Sequence, residues 1–108
     1  MDPIDISDIE TVVAAGQILW TEHVALRLRE RSLRRQDLIS CIQNGEIIEQ
    51  YPHDTPFASC LILGTSVSGK PLHVVCGLDL GINCYMITAY SPDPDEWEID
   101  NKTRKAGQ

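Results

Sequence analysis

The chain has 108 residues, the length of a single domain. Its 43% hydrophobic and 23% charged residues are typical of a globular protein with one core. The net charge of −7 argues against non-specific binding of nucleic acid, and no apolar run approaches the roughly 18 residues of a membrane helix. The acidic N-terminus lacks the basic and then apolar order of a secretion signal, so we expect a cytoplasmic protein.

The charges are distributed unevenly along the chain. Four acidic residues lie within residues 1–10 and five within residues 93–100, whereas five of the nine basic residues lie between positions 27 and 35. Residues 11–92 hold seven acids and six bases, so this central part is nearly neutral. The total charge is therefore a poor guide to what the body of the protein binds.

The four cysteines, at positions 41, 60, 76 and 84, form no CxxC pair. Without a secretion signal this spacing does not indicate a disulfide framework, and we predict reduced core residues. A zinc site that uses Cys76 or Cys84 with His73 or His53 is the functional alternative, although the spacing matches no common zinc pattern. No cofactor is predicted.

Helical periodicity predicts three helices in the first half of the chain. The first spans 4–15, with Asp5 or Ser7 as its cap, and the second spans about 22–31 after the N-cap Thr21. The third spans about 33–43. We expect Ser32 to cap the start of the third helix, and Asn44-Gly45 to end it with a left-handed residue.

The pattern then changes to the alternation of β-strands. Four strands are predicted, over Glu46–Tyr51, Phe57–Leu63, Leu72–Leu78 and Ile82–Tyr90. Short connections, including a turn at Asp79-Leu80-Gly81, favour an antiparallel meander. The predicted fold class is α+β, with N-terminal helices packed on a four-stranded antiparallel sheet, and residues 98–108 are expected to be a frayed polar tail.

The second helix carries an imidazole and two guanidinium groups on one stripe, because His23, Arg27 and Arg31 are four residues apart. A histidine can transfer a proton near neutral pH, and arginine can bind phosphate oxygens and stabilise a phosphorane. These are the groups that metal-free cleavage of RNA requires. The alternative is a solvated helix face whose charges pair with Glu22, Glu30 or Asp37.

The late strands supply a second set of polar side chains. In the last strand, Met86, Thr88 and Tyr90 are predicted to point one way, and Thr88 and Tyr90 have hydroxyls that can hold a phosphate or stack a base. Threonine and tyrosine also simply suit strands. His73 alternates with the apolar residues of its strand and is either a second proton-transfer group or an ordinary sheet residue.

Several stretches of the chain resemble an uncharacterised bacterial family that is catalogued only as a domain of unknown function. The likeness begins with Thr21-Glu22-His23-Val24-Ala25, leading to Arg27 and Arg31-Ser32-Leu33. It continues through residues 44–52, 69–75 and 87–92 and covers about residues 20–97. Ser32 stands where that family usually has glycine, and the chain adds an acidic helix before the motif.

That family is similar to RelE- and MqsR-type toxins, which belong to a broad class of metal-independent ribonucleases that includes barnase, EndoU and the colicin RNases. The resemblance implies a RelE-like domain at 20–97, flanked by an acidic helix at 1–19 and a polar tail at 98–108. It also implies an RNA substrate and a small antitoxin as partners. The positions that match the site of the class are His23, Arg27, Arg31, His73, Thr88 and Tyr90.

The resemblance favours a toxin-like, metal-independent endoribonuclease. In this hypothesis His23 is the general base or acid, the two arginines of the stripe hold the phosphate, and His73 is the partner acid. Thr88 and Tyr90 shape the phosphate or base site. The alternative is a non-catalytic RelE-like module that binds protein or RNA, and a third reading is a structural oligomer joined through a strand edge. The extra N-terminal helix either covers the basic stripe or packs against the core.

Overall fold

The computed structural model of the chain describes residues 3–79 and 82–106. The described residues form an α+β fold with three helices and a five-stranded mixed sheet. In chain order the elements are α1 (Ile6–Ala14), β1 (Ile18–Trp20), α2 (Glu22–Glu30), α3 (Arg35–Asn44), β2 (Glu46–Tyr51), β3 (Ser59–Thr65), β4 (Pro71–Asp79) and β5 (Asn83–Tyr90). The predicted turn at 79–81 falls largely outside the described residues.

The strand order in the sheet is β1-β5-β4-β3-β2. Strands β2 to β5 form the predicted antiparallel meander, but β1 adds a fifth strand that runs parallel to β5. The prediction of a four-stranded antiparallel sheet was therefore incomplete. Three residues are too few to show a strand alternation, and the partner of Ile18 is Cys84, far along the chain.

The starts of the first two helices follow their predicted caps. The Asp5 carboxylate accepts a hydrogen bond from the Ser7 N–H at 2.9 Å, and the Thr21 hydroxyl accepts one from the Val24 N–H at 3.1 Å. Each side chain pairs a backbone donor that has no partner inside its helix.

The predicted role of Ser32 as a cap of the third helix is wrong, since Ser32 ends α2 instead. It has a φ of 56°, and the Leu33 N–H donates to the Leu28 carbonyl at 2.8 Å. These are the features of a Schellman motif, whose left-handed residue is usually glycine. Helix α3 begins at Arg35. The Asp37 carboxylate in its first turn accepts a hydrogen bond from the N–H of Arg34, the residue just before the helix.

Gly45 ends α3, but not in the predicted left-handed conformation. Its φ is −98° and its ψ is 178°, which is extended backbone. A Cβ atom at this position would overlap the Cys41 carbonyl oxygen and the Ile62 side chain. Glycine is therefore required because α3 packs closely against β3, and not because the helix ends in a left-handed turn.

The core lies between the three helices and one face of the sheet. All four cysteines are buried there and unpaired, in agreement with the prediction of reduced core residues. Helix α1 packs against α3 and β5 and buries Ile9, Val12 and Val13 in this same core. Of the two roles considered for the extra helix, the structure shows packing against the core.

A β-bulge in β5 changes which of its side chains face the core. Val75 lies opposite Thr88, whereas Cys76 lies opposite Met86, so one extra residue is inserted in β5. Met86 and Ala89 are consequently both buried in the core, while Thr88 and Tyr90 lie on the opposite face of the sheet, the outer face. The predicted simple alternation, with Met86 on the side of Thr88, was wrong because an inserted residue reverses the order of the faces.

Residues 96–105 form a small hairpin that covers part of the outer face, which we call the C-terminal hairpin. Trp97 and Arg104 form an antiparallel bridge, and the Lys105 N–H donates to the Glu96 carbonyl at 3.0 Å. Trp97 is only 2% exposed. The expected frayed tail is thus folded back on the sheet over the described residues. None of the described helices has the length and apolar character needed to cross a membrane.

Candidate functional site: a basic helix end and a polar outer face

The stripe on α2 is present, and its three members have different surroundings. His23 is exposed, and no described residue is hydrogen-bonded to its side chain. Arg27 forms an ion pair with Glu30 at 2.9 Å, as the solvated-face alternative anticipated. Since each residue adds about 1.5 Å along a helix, His23 lies roughly 12 Å along the axis from Arg31.

Arg31 extends from the end of α2 to the edge of β5. Its Nη1 donates to the Thr88 hydroxyl at 3.1 Å and to the Ala89 carbonyl at 2.7 Å. Strand β1 ends at Trp20, opposite Met86, so no strand of the described residues pairs with the end of β5 on that side. The guanidinium therefore pairs an edge carbonyl that would otherwise face solvent.

The rest of the Arg31 guanidinium is available. Within the described residues nothing accepts a hydrogen bond from its Nε or Nη2. These two nitrogens form the side of the fork that binds two oxygens of one carboxylate or phosphate at once. The structure thus fixes the group by one nitrogen and leaves its anion-binding edge open.

A cleft of about 270 Å³ lies beside Arg31, and we call it the Arg31–Lys70 cleft. Its polar lining comes from the end of α2, the start of α3, the β3–β4 turn and the end of β5. The polar residues are Arg31, Ser32, Asp37, Ser66, Ser68, Lys70 and Ser91.

The β3–β4 turn brings Lys70 to the cleft. The Gly69 N–H donates to the Ser66 carbonyl at 2.9 Å, and the Ser66 N–H donates to the Lys70 carbonyl at 2.8 Å. Gly69 has a φ of 82°, as the left-handed position of such a hairpin turn requires. The turn is tied to α3, because the Asp37 carboxylate accepts from the Val67 N–H at 3.0 Å.

His73 lies on the outer face of the sheet, opposite Tyr90, and is not part of the Arg31–Lys70 cleft. It is 0% exposed, and its Nε2 is 2.7 Å from the Asn101 carbonyl oxygen of the C-terminal hairpin. Because a carbonyl oxygen only accepts, Nε2 carries a proton, and in the neutral ring Nδ1 is then the unprotonated nitrogen. Nδ1 is buried, and no described residue pairs with it. The ring packs edge-on against Tyr90 and Trp97, at 5.4 and 4.6 Å between centroids.

An ion pair lies next to His73. The Arg104 guanidinium donates two hydrogen bonds to the Glu49 carboxylate, at 2.8 and 3.0 Å, and the Tyr51 hydroxyl donates to the same carboxylate at 2.6 Å. Arg104 also lies over the Trp97 ring at 4.5 Å. We call these six side chains the outer-face cluster: Glu49, Tyr51, His73, Tyr90, Trp97 and Arg104.

The outer-face cluster alters the acidity of its members. The hydrogen bonds from Arg104 lower the pKa of Glu49. Burial lowers the pKa of His73 below its usual 6.5 and raises the pKa values of Tyr51 and Tyr90. Both tyrosines and the histidine are thus kept neutral at physiological pH, while the Glu49–Arg104 pair is kept charged.

The predicted site residues fall into three places. Arg31 and Thr88 are in contact at the edge of β5, and His73 and Tyr90 are cross-strand neighbours under the C-terminal hairpin. His23 and Arg27 lie along the exposed face of α2. The structure does not gather all six into one groove.

Sequence reasoning gave no role to several residues of these sites. Lys70 was part of a matching stretch, Gly69-Lys70-Pro71, and a lone lysine after a serine-rich turn was the signal that could have indicated a cleft. Glu49 lies in the predicted strand Glu46–Tyr51, but its ion-pair partner Arg104 was missed, since the tail was expected to fray and no local pattern links residues so far apart.

Metal binding receives no support from the geometry of the described residues, which hold no group of three or more histidine, cysteine or acidic side chains suited to a metal. Cys76 faces the core and His73 faces the outer side, so these two cannot share a zinc ion. Burial raises the pKa of Cys41 to about 12, and contacts with the Cys60 and Cys84 thiols, together with burial, raise the pKa of Cys76.

Comparison with protein-family models assigns the chain to one family. The family described as "Domain of unknown function (DUF4258)" matches residues 20–91, about two thirds of the chain, and the protein belongs to this family. The matched segment runs from Trp20 to Ser91 and so includes the α2 stripe and β5, whereas α1 and the C-terminal hairpin lie outside it. No curated protein and no solved structure matches the chain.

Proposed function

We propose that this protein is a RelE-like RNA-binding module that contacts the RNA backbone with the basic end of α2. The observation that carries the proposal is the state of Arg31, whose Nη1 is fixed on Thr88 and Ala89 while Nε and Nη2 are unused by any described residue. An arginine that is held in place beside a cleft and keeps two nitrogens unused is suited to a phosphate oxygen pair.

The charge distribution supports the same surface. Five of the nine basic residues lie between positions 27 and 35, in α2 and at the start of α3. Phosphate contacts supply most of the affinity of single-stranded nucleic acid for proteins without sequence preference. Nine of the sixteen acidic residues lie instead within residues 1–10 and 93–100, away from this basic stretch in the sequence.

The salt dependence of RNA binding tests this proposal. A fluorescein-labelled single-stranded RNA is titrated at several salt concentrations, and each phosphate contact contributes about 0.7 to the slope of log K against log[salt]. We expect the double variant Arg27→Gln, Arg31→Gln to bind at least about tenfold more weakly and with a slope lower by roughly 1.4.

Arg29→Gln is the matched control for this measurement. It removes one of the same positive charges from the last turn of the same helix, so its effect is compared with half of the change in log K of the double variant, and its exposed side chain is not hydrogen-bonded to any described residue. It should change the affinity by less than about twofold. An equal loss of affinity per charge removed in the control and in the double variant would contradict binding at the proposed surface.

RNA cleavage is the second candidate function. The observation that favours it is the exposure of His23 on the same stripe as Arg27 and Arg31, where a proton-transfer group would meet a bound RNA. Removal of a general acid or base lowers a rate by about 10²–10⁴-fold. We therefore expect His23→Ala to stay folded and to lose about this factor in cleavage, whereas His53→Ala, in the loop after β2, keeps full activity.

Growth arrest on expression is the corresponding test in cells. Arrest by the unaltered chain that disappears with His23→Ala supports a toxin-like nuclease. Cleavage that is the same with and without His23 would remove that residue from the mechanism. The antitoxin partner and the cytoplasmic location stay predictions.

A further inference from the structure

The Arg31–Lys70 cleft carries cationic and hydroxyl donors beyond those that a single contact to an RNA chain would use. Its donors are the open Nε–Nη2 edge of Arg31, the Lys70 ammonium and the hydroxyls of four serines. Three separate elements supply them, namely the end of α2, the β3–β4 turn and the end of β5.

The two cations of the cleft are not neutralised by a close ion pair. The Lys70 side chain forms no salt bridge or hydrogen bond with any described residue, and the same holds for the open edge of Arg31. Asp37 is the acidic residue of the lining, and its two oxygens accept from the Arg34 and Val67 N–H groups. The lining thus has a net charge of +1 in a chain of net charge −7.

Contacts within the protein hold Arg31 and the β3–β4 turn in place at the cleft. Arg31 is fixed to β5 by two hydrogen bonds, and the turn that bears Lys70 is closed by its own backbone and tied to α3 through Val67. The hydroxyls of Ser66 and Ser68 lie 3.1 Å apart. Little ordering of Arg31 and of the turn backbone is therefore needed to bind an anion there, which favours affinity.

We infer that the Arg31–Lys70 cleft is a subsite for a phosphate monoester, and that it receives the terminal phosphate of an RNA strand. The second half of this inference rests on the proposed function, whereas the first half does not. An internal phosphodiester offers two free oxygens, which the Arg31 edge alone can bind. A monoester offers a third oxygen and a second negative charge, and these match Lys70 and the serine hydroxyls.

Small phosphates test the subsite itself. The ¹⁵N-labelled protein is titrated with methyl phosphate and with dimethyl phosphate, which differ in the third oxygen and the second charge. We expect methyl phosphate to shift the backbone amides of residues 66–70 and the Nε–H of Arg31, and to bind about tenfold more tightly than the diester. Equal binding of the two, or no shift at residues 66–70, would overturn the inference.

Two variants and a control identify the groups responsible. Lys70→Gln should weaken methyl phosphate about tenfold with no change in the fold, because the Lys70 side chain forms no hydrogen bond with a described residue. Arg31→Gln should weaken it at least as much, but it also removes the hydrogen bonds to β5, so Lys70→Gln is the decisive variant. Arg29→Gln should leave the affinity within about twofold, and a loss equal to that of Lys70→Gln would show a general charge effect and overturn the site.

Three RNAs that differ only in their ends then separate this inference from the proposed function. Oligoribonucleotides with a 5′-phosphate, a 3′-phosphate or hydroxyls at both ends are compared on the unaltered protein. Tighter binding of one phosphorylated end by about tenfold, lost in Lys70→Gln, supports the terminal subsite. RNA binding that does not depend on a terminal phosphate would overturn it and leave the proposed function standing. Methyl phosphate in the cleft without any RNA binding would keep the subsite and contradict the proposed function.

Discussion

Ser32 occupies a backbone conformation that ordinarily belongs to glycine. Its φ of 56° is left-handed, and the two hydrogen bonds of the Schellman motif, from Ser32 to Arg29 and from Leu33 to Leu28, hold it there. A residue with a Cβ pays for that conformation in steric strain. The presence of serine rather than glycine at this position therefore has a physical consequence.

We expect Ser32→Gly to raise the free energy of unfolding by roughly 0.5–1 kcal/mol, because it removes the Cβ strain at a left-handed position. Chemical denaturation measures the change. Gly16→Ala is the mirror control, since Gly16 has a φ of 76° and, apart from its chain neighbours, no described residue has an atom within 4 Å of a Cβ placed there. It should lower the same free energy by about 1 kcal/mol. A destabilised Ser32→Gly protein would show that the Ser32 side chain has a stabilising role that its backbone does not reveal.

At the scale of elements, the C-terminal hairpin is the largest departure from what local patterns indicate. It is polar, and its acidic and hydroxyl residues suit a solvated tail. It is anchored by one buried aromatic ring, by the Glu49–Arg104 pair and by the contact from Asn101 to His73. The Arg104 side chain of this ion pair is 54% exposed, and a pair so accessible to solvent adds little, so the packing of Trp97 should dominate the docking of the hairpin.

The variant Trp97→Ala tests whether the packing of this side chain is the main contribution to the docking of the hairpin. Trp97 is 2% exposed and packs against His73, so its removal should lower the free energy of unfolding by about 3–5 kcal/mol in a denaturation experiment. Ile99 lies on the same hairpin and is 100% exposed. Ile99→Ala should therefore change the stability by less than about 0.5 kcal/mol. Similar effects of the two substitutions would contradict a hairpin held by its tryptophan.

The sequence allowed good prediction of those elements whose signals are local. The caps at Asp5 and Thr21, the strand Glu46–Tyr51 and the meander of the last four strands all follow from nearest-neighbour chemistry. The features that were missed depend on distant partners. Strand β1 is defined by β5, the β5 bulge by its register with β4, and the hairpin by Glu49 and His73.

The residues of the candidate site also divide into those that local patterns indicate and those that depend on contacts with distant parts of the chain. The i, i+4, i+8 spacing of the α2 stripe could be read directly, and the contact of Arg31 with Thr88 joins residues that were singled out separately. Lys70 and Asp37 reach the cleft only through the packing of a turn on α3. The placement of His73 beneath a hairpin rather than in an open groove depends on residues 97–104, which carry no strand or helix pattern of their own.

For the whole molecule, the two faces of the sheet have different chemistry. One face covers the apolar core, and the other carries the outer-face cluster, with a neutral buried histidine beside a charged pair. The carboxylate of Glu49 and the guanidinium of Arg104 are the charged groups that act on His73, with opposite effects on its pKa. Burial, the largest influence, lowers that pKa below 6.5.

This lowered pKa predicts how stability depends on pH. The unfolded chain takes up a proton on this histidine near pH 6.5, whereas the folded chain takes it up only at lower pH. The contribution is therefore fully present above about pH 6.5, and the free energy of unfolding falls as the pH decreases from there toward the folded pKa. Glu49, whose pKa is lowered, loses its contribution only below its ordinary value of 4.5, in a separate range.

Denaturation between about pH 5 and 7.5 measures this dependence. His73→Gln retains a donor for the Asn101 carbonyl but does not titrate, so its stability should vary less with pH in this range. His53→Gln removes an imidazole from a loop outside the cluster and should keep the slope of the unaltered protein. An unchanged slope in His73→Gln would mean that another group controls the acid sensitivity.

The central claim is that RNA binds at the basic end of α2, where Arg31 meets Thr88. Chemical-shift mapping with a short single-stranded RNA measures this location most directly, because it reads the Arg side-chain Nε–H groups and the backbone amides together. We predict the largest shifts at Arg31, at Thr88 and Ala89, and at residues 66–70. Shifts confined to β2 and the C-terminal hairpin, with Arg31 unaffected, would contradict the claim.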